Sequence, residues 1–318
     1  MTERTMTERP MAESRRVLVV GLGTIAMTHL AVLGGRSDVQ VVGGVDPARP
    51  AVDVPVHRTL DEALSADPAP ELVVVATPTD THVPIVREVV DRTDALVLSE
   101  KPLATSLAEV EALADVADRV RVAHHFAFSP EVEWARRRVV AEGWGRPTRV
   151  VSVFNDAYAG LGEARLASYV SSWVDSAPNQ LSALAPFTGP LELVGHADER
   201  LSAVTVLDHD GGRTVLSSNW LAADTSKQTT LDYDGGRQVR MDHTSLTVTV
   251  LEDGMVTEQV GYAGTFGRKE AHYRGLYDVL LADPDDERLG VPLATDIARL
   301  LEAAASAPPG RTTFSSLR

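Results

Sequence analysis

A chain of 318 residues with 30 Lys+Arg against 45 Asp+Glu carries a formal charge of −15 and contains no cysteine. At roughly 100–200 residues per domain, that length points to two domains, each with its own core. The acidic balance argues against nucleic acid or an anionic membrane as partner. The missing cysteines remove disulfide frameworks, thiolate catalysis and Cys-based metal sites, and no apolar run reaches the ~18–20 residues of a membrane span.

Residues 1–14 contain Met-Thr-Glu-Arg twice, at Met1–Arg4 and Met6–Arg9. They read as a polar, disordered tail without the apolar centre of a signal peptide, and a cytoplasmic protein is expected. Continuous apolar runs follow at Val17–Val20, Val39–Val45, Leu72–Ala76, Ala95–Leu98 and Val120–Ala123. Helical patterns lie between them at Ile25–Leu33, Leu60–Ala66, Val83–Val90 and Leu107–Ala117. Strands of unbroken apolar residues alternating with helices predict a doubly wound parallel sheet, an α/β Rossmann domain over residues 15–128.

The pattern changes near Ser129-Pro130. A charged helix from Glu131 to Glu142 stops at Gly143-Trp144-Gly145-Arg146-Pro147. Strands are then predicted at Arg149–Phe154, Leu201–Leu207, Thr214–Trp220, Thr229–Tyr233, Gln238–Met241, Leu246–Leu251 and Val256–Val260. Asp-Gly and Gly-Gly turns between several of them predict an antiparallel meander. A helix over Val174–Phe187 interrupts the series, and helices over Lys269–Leu281 and Leu293–Ala305 close it. Residues 129–318 thus read as an α+β domain with a large, open, mainly antiparallel sheet, its last helix packing back toward the first domain.

The first strand runs directly into Gly21-Leu22-Gly23-Thr24-Ile25-Ala26, the pattern G-x-G-x-x-A at the start of a helix. Gly21 permits the tight turn, Gly23 lets backbone approach a pyrophosphate, and Ala26 lets helix and strand pack closely. The helix N-terminus then offers free N–H groups to phosphate. Asp46 lies 20 residues beyond Ala26 at the end of the next strand, where a carboxylate bonds ribose hydroxyls. A carboxylate repels a 2′-phosphate, so NAD is favoured; Arg49 nearby leaves NADP open.

Glu100-Lys101-Pro102 follows another strand of the parallel sheet, at the end where such folds bind ligands. Lys101 can hold a substrate hydroxyl or share its proton. The nine histidines show no H-E-x-x-H spacing, and Asp208-His209-Asp210 reads as a hairpin end, so no metal site is expected.

These features together resemble the Gfo/Idh/MocA oxidoreductase family, which includes glucose–fructose oxidoreductase and inositol dehydrogenase. Gly21–Ala26 with Asp46 and Glu100-Lys101-Pro102 carry the resemblance. So does Ala76-Thr77-Pro78-Thr79-Asp80-Thr81-His82, which is similar to the family's nicotinamide-side loop, and Ala123–Pro130, which is similar to the end of its Rossmann domain. The resemblance spans about Arg15–Pro130 and is weaker beyond. It implies cofactor contacts from Thr77, Pro78, His82, Glu100 and Lys101 beside the Gly-rich turn. It implies an NAD(P)-dependent dehydrogenase or reductase acting on a sugar, cyclitol or secondary-metabolite intermediate. It also implies a homodimer or homotetramer built through the second domain's sheet.

In the family Lys101 would sit near the reacting carbon, and a helix of the second domain would carry G-G-x-x-x-D-x-G-x-H-x-x-D. The stretch Ser172–Ser182 is similar, with one residue fewer before the aspartate. Asp175 is retained. Asn179 stands where histidine is expected, Ser182 where the second aspartate is, Trp173 where glycine is and, earlier, Ala127 where arginine is common. Asparagine orients a hydroxyl but takes no proton at neutral pH. The catalytic set implied is Lys101, Asp175 and Asn179, with His125, Tyr158 and Trp173 against the substrate. Two alternatives stay open: redox-neutral chemistry with retained NAD, and a non-catalytic dinucleotide sensor.

Overall fold

The computed structural model describes residues 14–158, 160–162, 166, 170–262, 264 and 266–307; the expected N-terminal tail lies outside them except for residue 14. The first domain alternates β1 (Arg15–Val20), α1 (Thr24–Gly34), β2 (Val39–Val45), β3 (Val56–His57), α2 (Leu60–Leu64), β4 (Leu72–Val75), α3 (His82–Arg92), β5 (Leu96–Ser99), α4 (Leu107–Glu111) and β6 (Val120–Val122). The strands are ordered β3-β2-β1-β4-β5-β6 and all pair in parallel. Val17–Val20 and Leu72–Val75 are almost wholly buried, because helices cover both sheet faces. The chain reverses its direction of winding between β1 and β4, and the crevice at that reversal is where such sheets bind ligands.

After α5 (Pro130–Ala141) come β7 (Arg149–Ala157), α6 (Ser172–Thr188), β8 (Leu191–Asp198), β9 (Ser202–His209), β10 (Gly212–Asn219), β11 (Leu221–Tyr233), β12 (Arg237–Asp242), β13 (Thr247–Glu252) and β14 (Met255–Gly261). They form an eight-stranded sheet ordered β14-β13-β12-β11-β7-β10-β9-β8. The expected meander becomes two, on either side of β7. That strand pairs parallel to β10 and antiparallel to β11. The sequence pattern also missed β8, whose bulge between Leu193 and Gly195 breaks the alternation of buried and exposed residues.

α6 is buried almost all round, lying between the sheet and a 3₁₀ turn at His125–Phe128. Two helices close the described chain, α7 (Arg268–Ala282) and α8 (Val291–Ser306). Tyr273, Leu276, Tyr277 and Leu280 of α7 pack with Val17, Val19, Leu72 and Val74, so this late helix joins the core of the first domain. Gly275 permits the approach, since a Cβ there would lie 2.1 Å from the carbonyl oxygen of Phe128. α8 spans both domains, with Val291, Ala294 and Ala298 in the core around Val73 and Val97, and Ile297, Leu300 and Leu301 against Leu181 and Leu184. No helix of the described residues is long and apolar enough to cross a membrane.

Candidate active site

The turn from β1 into α1 is shaped by steric exclusion. Gly21 has φ +84°, and a Cβ there would meet the Thr77 methyl at 2.7 Å and the Ala76 carbonyl oxygen at 2.8 Å. Gly23 is the opposite case, with no atom within 4 Å of a Cβ position, so backbone lies open to the crevice. Gly23 and Thr24 are exposed, Ile25 packs partly against the core, and Ala26 is buried against it. No side chain caps the N-terminus of α1, which leaves its first N–H groups for an anion. The Asp46 carboxylate accepts hydrogen bonds from the Leu22 N–H at 3.0 Å and the Ala48 N–H at 2.8 Å. That fixes it beside the turn, and its remaining lone pairs stay available for ribose hydroxyls. An open backbone, an uncapped helix end and a carboxylate at the ribose position fit a dinucleotide.

Thr77 and Pro78 follow β4 next to Gly21, and the Thr81 hydroxyl donates to the Thr77 hydroxyl at 2.7 Å. His82 was expected beside the cofactor, but its ring is fully engaged elsewhere. Nδ1 lies 2.9 Å from the Pro102 carbonyl oxygen and Nε2 lies 2.9 Å from that of Thr77. The side chain braces two loops of the site.

Glu100 is likewise a buried hub. Its Oε1 accepts from His29 Nε2 at 3.0 Å and from the Tyr273 hydroxyl, and its Oε2 accepts from the Lys101 N–H at 3.2 Å. The Tyr277 hydroxyl and His29 Nδ1 are 2.7 Å apart. Burial alone would raise the Glu100 pKa; the hydrogen bond and charge of His29, the Tyr273 hydroxyl and the Lys101 charge outweigh it and hold the carboxyl below its usual range. Glu100 therefore orients the Lys101 backbone from below.

The Lys101 ammonium points across the domain boundary. It lies 3.6 Å from Asp175 Oδ1 and 3.3 Å from the Asp175 carbonyl oxygen. Asn179 Nδ2 approaches the same carbonyl at 3.4 Å. The start of α6 is fixed by Ser171, whose hydroxyl accepts from the Val174 N–H, so Asp175 is free of capping duty. Lys101, Asp175 and Asn179 are thus brought together at the C-terminal end of β5.

The three residues expected against the substrate fare differently. Tyr158 lies against the Trp220 ring at 5.5 Å. Trp173 is buried in the core with its ring 5.0 Å from His196 on β8. His125 is buried between Tyr273, on which it stacks at 4.8 Å, and His272, whose Nδ1 lies 3.2 Å from its own. Burial, the neighbouring His272 and Lys101 push His125 well below the ordinary imidazole range. Burial pushes His272 down to about 3 and His124 to about 4.

Sequence reasoning missed the partners of these groups. Glu131, at the start of α5, accepts from His243 Nδ1 at 2.8 Å and faces His272 Nε2 at 3.9 Å. On the inner face of the sheet, Lys227 Nζ donates to Asp156 Oδ2 at 2.5 Å. Each pair joins residues far apart in the chain, and no local spacing announces it. No group of acidic or histidine side chains among the described residues has the arrangement of a metal site.

Residues 15–128 match the sequence model of the Gfo/Idh/MocA oxidoreductases, described as an oxidoreductase family with an NAD-binding Rossmann fold. The match covers the dinucleotide-binding segment alone, which is thus similar to the Rossmann domain of that family. No curated protein matches the chain in sequence. Solved structures share its architecture over nearly the full length. A myo-inositol dehydrogenase from Corynebacterium glutamicum is 17% identical with TM-score 0.76, covering 92% of this chain and 96% of its own. GenD2 from gentamicin A biosynthesis, in complex with NAD, is 21% identical with TM-score 0.74, covering 96% and 98%. KijD10, a 3-ketoreductase from Actinomadura kijaniata with NADP bound, is 18% identical with TM-score 0.74, covering 92% and 97%. These likenesses show the fold: a Rossmann domain followed by the same kind of open-sheet second domain.

Proposed function

We propose that this chain is an NAD(P)-dependent dehydrogenase or reductase that moves a hydride to or from a small polyhydroxylated substrate such as a sugar, cyclitol or secondary-metabolite intermediate. The observation that carries the reading is the convergence of Lys101, Asp175 and Asn179 at the C-terminal end of β5, in the sheet whose first strand leads into the Gly21–Ala26 turn. The open backbone of that turn would hold the pyrophosphate, Asp46 the ribose hydroxyls, and Thr77 and Pro78 the nicotinamide side, with NAD favoured over NADP. Bound there, the nicotinamide supplies the hydride acceptor or donor. Lys101 donates a hydrogen bond to the substrate oxygen, stabilises negative charge developing on it and shares its proton. Asp175 holds the ammonium in place, and Asn179 orients a substrate hydroxyl through its amide.

The replacement of an acid–base group by Asn179 favours one second reading, a dinucleotide-binding sensor. Calorimetric titration with NAD⁺ and NADP⁺, followed by cofactor absorbance with a panel of sugars, polyols and nucleotide sugars, separates the two. Turnover of a panel member that is lost in Lys101→Ala supports the enzyme. Tight cofactor binding with no turnover across the panel supports the sensor. Self-association through the second domain's sheet is part of the same reading, and sedimentation velocity tests it.

A further inference from the structure

Lys101, Lys227 and Lys269 are the chain's only lysines, against 27 arginines. Lys101 and Lys269 both depress His125, and Lys227 depresses His272, the ring that His125 touches. Lys227 is 5% exposed and Asp156 is 4% exposed. A buried ion pair seldom repays its desolvation, and apolar residues of like volume stabilise a core as well or better. The pair therefore calls for a reason other than stability.

The pair lies on the sheet face beneath α6, the helix that carries Asp175 and Asn179. Lys227 on β11 is paired with Phe154 on β7, and its ammonium lies 4.7 Å from the Phe154 ring centroid. Asp156, two residues beyond Phe154, faces the same side. Above this face runs α6, which presents Ser172, Ser176 and Gln180 at successive i, i+4 positions. Gln180 Nε2 donates to the Ser152 carbonyl oxygen at 3.0 Å, and Ser218, the neighbour of Phe154 on β10, donates to the Ser172 hydroxyl at 3.1 Å. Ser176 lies between them on the helix, and its buried hydroxyl has no partner among the described residues. Asp175, the residue before it, holds Lys101.

We propose that the Lys227–Asp156 pair is the second acid–base group of this site, doing from the sheet side what Asn179 cannot do from the helix. The proposal rests on the oxidoreductase reading above. In the oxidative direction the substrate O–H bond breaks and its proton forms a new N–H bond on the neutral Lys227 amine. A bound oxidised nicotinamide would accept the carbon–hydrogen bonding pair as hydride, and a C=O bond would remain. In reduction each transfer reverses. Asp156 on β7 bonds Lys227 directly, and the charges of Asp175 on α6 and Arg268 and His272 on α7 also act on it. Burial lowers the affinity of Lys227 for its proton, Asp156 and Asp175 restore part of it, and Arg268 opposes them, so the amine comes within reach.

Three lysines make the test direct. Protein labelled with ¹³Cε and ¹⁵Nζ lysine gives three side-chain NMR signals, assigned through Lys269→Arg and Lys101→Arg, with Lys227 by elimination. The expected result is that Lys227 loses its proton at least one pH unit below Lys269, and that Asp175→Asn lowers its midpoint further. If Lys227 stays charged to the same pH as Lys269, or ignores Asp175→Asn, the pair is structural and the proposal falls. NAD⁺ added to the same sample tests the underlying reading separately. A Lys101 signal that does not move on saturation with NAD⁺ overturns the cofactor placement while leaving the Lys227 result intact.

Discussion

The Lys101 ammonium sits 3.3 Å from the backbone carbonyl of Asp175, a residue 74 positions later and in the other domain. A charge from the dinucleotide-binding domain is thereby delivered to the helix of the second domain, with only 14% of its side chain exposed.

That geometry makes Lys101→Ala the decisive substitution for chemistry. With a substrate found in the panel, turnover should fall ~10²–10⁴-fold, the usual range for a general acid–base group. Affinity for NAD⁺ should change by no more than a few-fold, since the ammonium is held by Asp175 of the second domain. Parallel kinetics and calorimetry on one preparation check both halves, and retained turnover removes Lys101 from the mechanism.

Gly21→Ala should abolish NAD⁺ binding. The added methyl collides with Thr77 and the Ala76 carbonyl, and φ +84° strains any L side chain. A strained position of this kind costs on the order of 1–3 kcal/mol, so the thermal midpoint should drop as well. Gly23→Ala meets no protein atom and should weaken binding with little change in stability, which differential scanning fluorimetry with and without NAD⁺ resolves.

Asp46→Asn removes the negative charge and keeps one of the two oxygens that now accept from the Leu22 and Ala48 N–H groups. The ratio of NADP⁺ to NAD⁺ affinity should rise about tenfold or more, equal to roughly 1.4 kcal/mol. Titration of each cofactor into wild type and variant measures it.

Glu100→Gln leaves one acceptor where His29, Tyr273 and the Lys101 N–H now converge on a carboxylate. A loss of about 1–3 kcal/mol is expected in urea unfolding. Catalysis should suffer too, because the turn that aims Lys101 loses its anchor.

Acid should destabilise the fold from an unusually high pH. His124 and His272 have their protonation pushed from 6.5 down to about 4 and about 3, and His125 also lies well below 6.5. Between those values the unfolded chain binds protons that the folded chain refuses, so stability is full above about pH 6.5 and falls as pH drops. Each histidine contributes up to ~1.4 kcal/mol per pH unit in that window. Below the ordinary glutamate range, Glu100 and Glu131, both held low in the fold, add a loss of the same sign. Urea midpoints at pH 7, 6 and 5 should decline steadily, and a flat profile would contradict the buried neutral rings.

The dinucleotide domain was legible because its strands are covered on both faces and so appear as unbroken apolar runs, such as Val17–Val20 and Leu72–Val75. Lys101 was legible because it follows such a run. The network beneath it was not. His29 meets Glu100 across 71 positions, His243 meets Glu131 across 112 and Lys227 meets Asp156 across 71. Such pairs are fixed by tertiary packing and leave no period in the chain. Trp173 shows the converse failure: its place in the motif suggested a pocket wall, yet an apolar indole at the start of a buried helix packs into the core.

The central position of β7 has a consequence for synthesis. Both of its sheet neighbours come later in the chain, the nearer after the 54 residues between Ala157 and Gly212. At ~5–20 residues per second a ribosome takes roughly 3–11 s to supply them. During that interval the innermost strand of the finished sheet has two bare edges, each able to pair with another nascent chain. The strand at the middle of the sheet thus waits longest between its own synthesis and its first partner, and slow translation beyond Ala157 should lower the yield of native protein more than an equal delay placed after Tyr233.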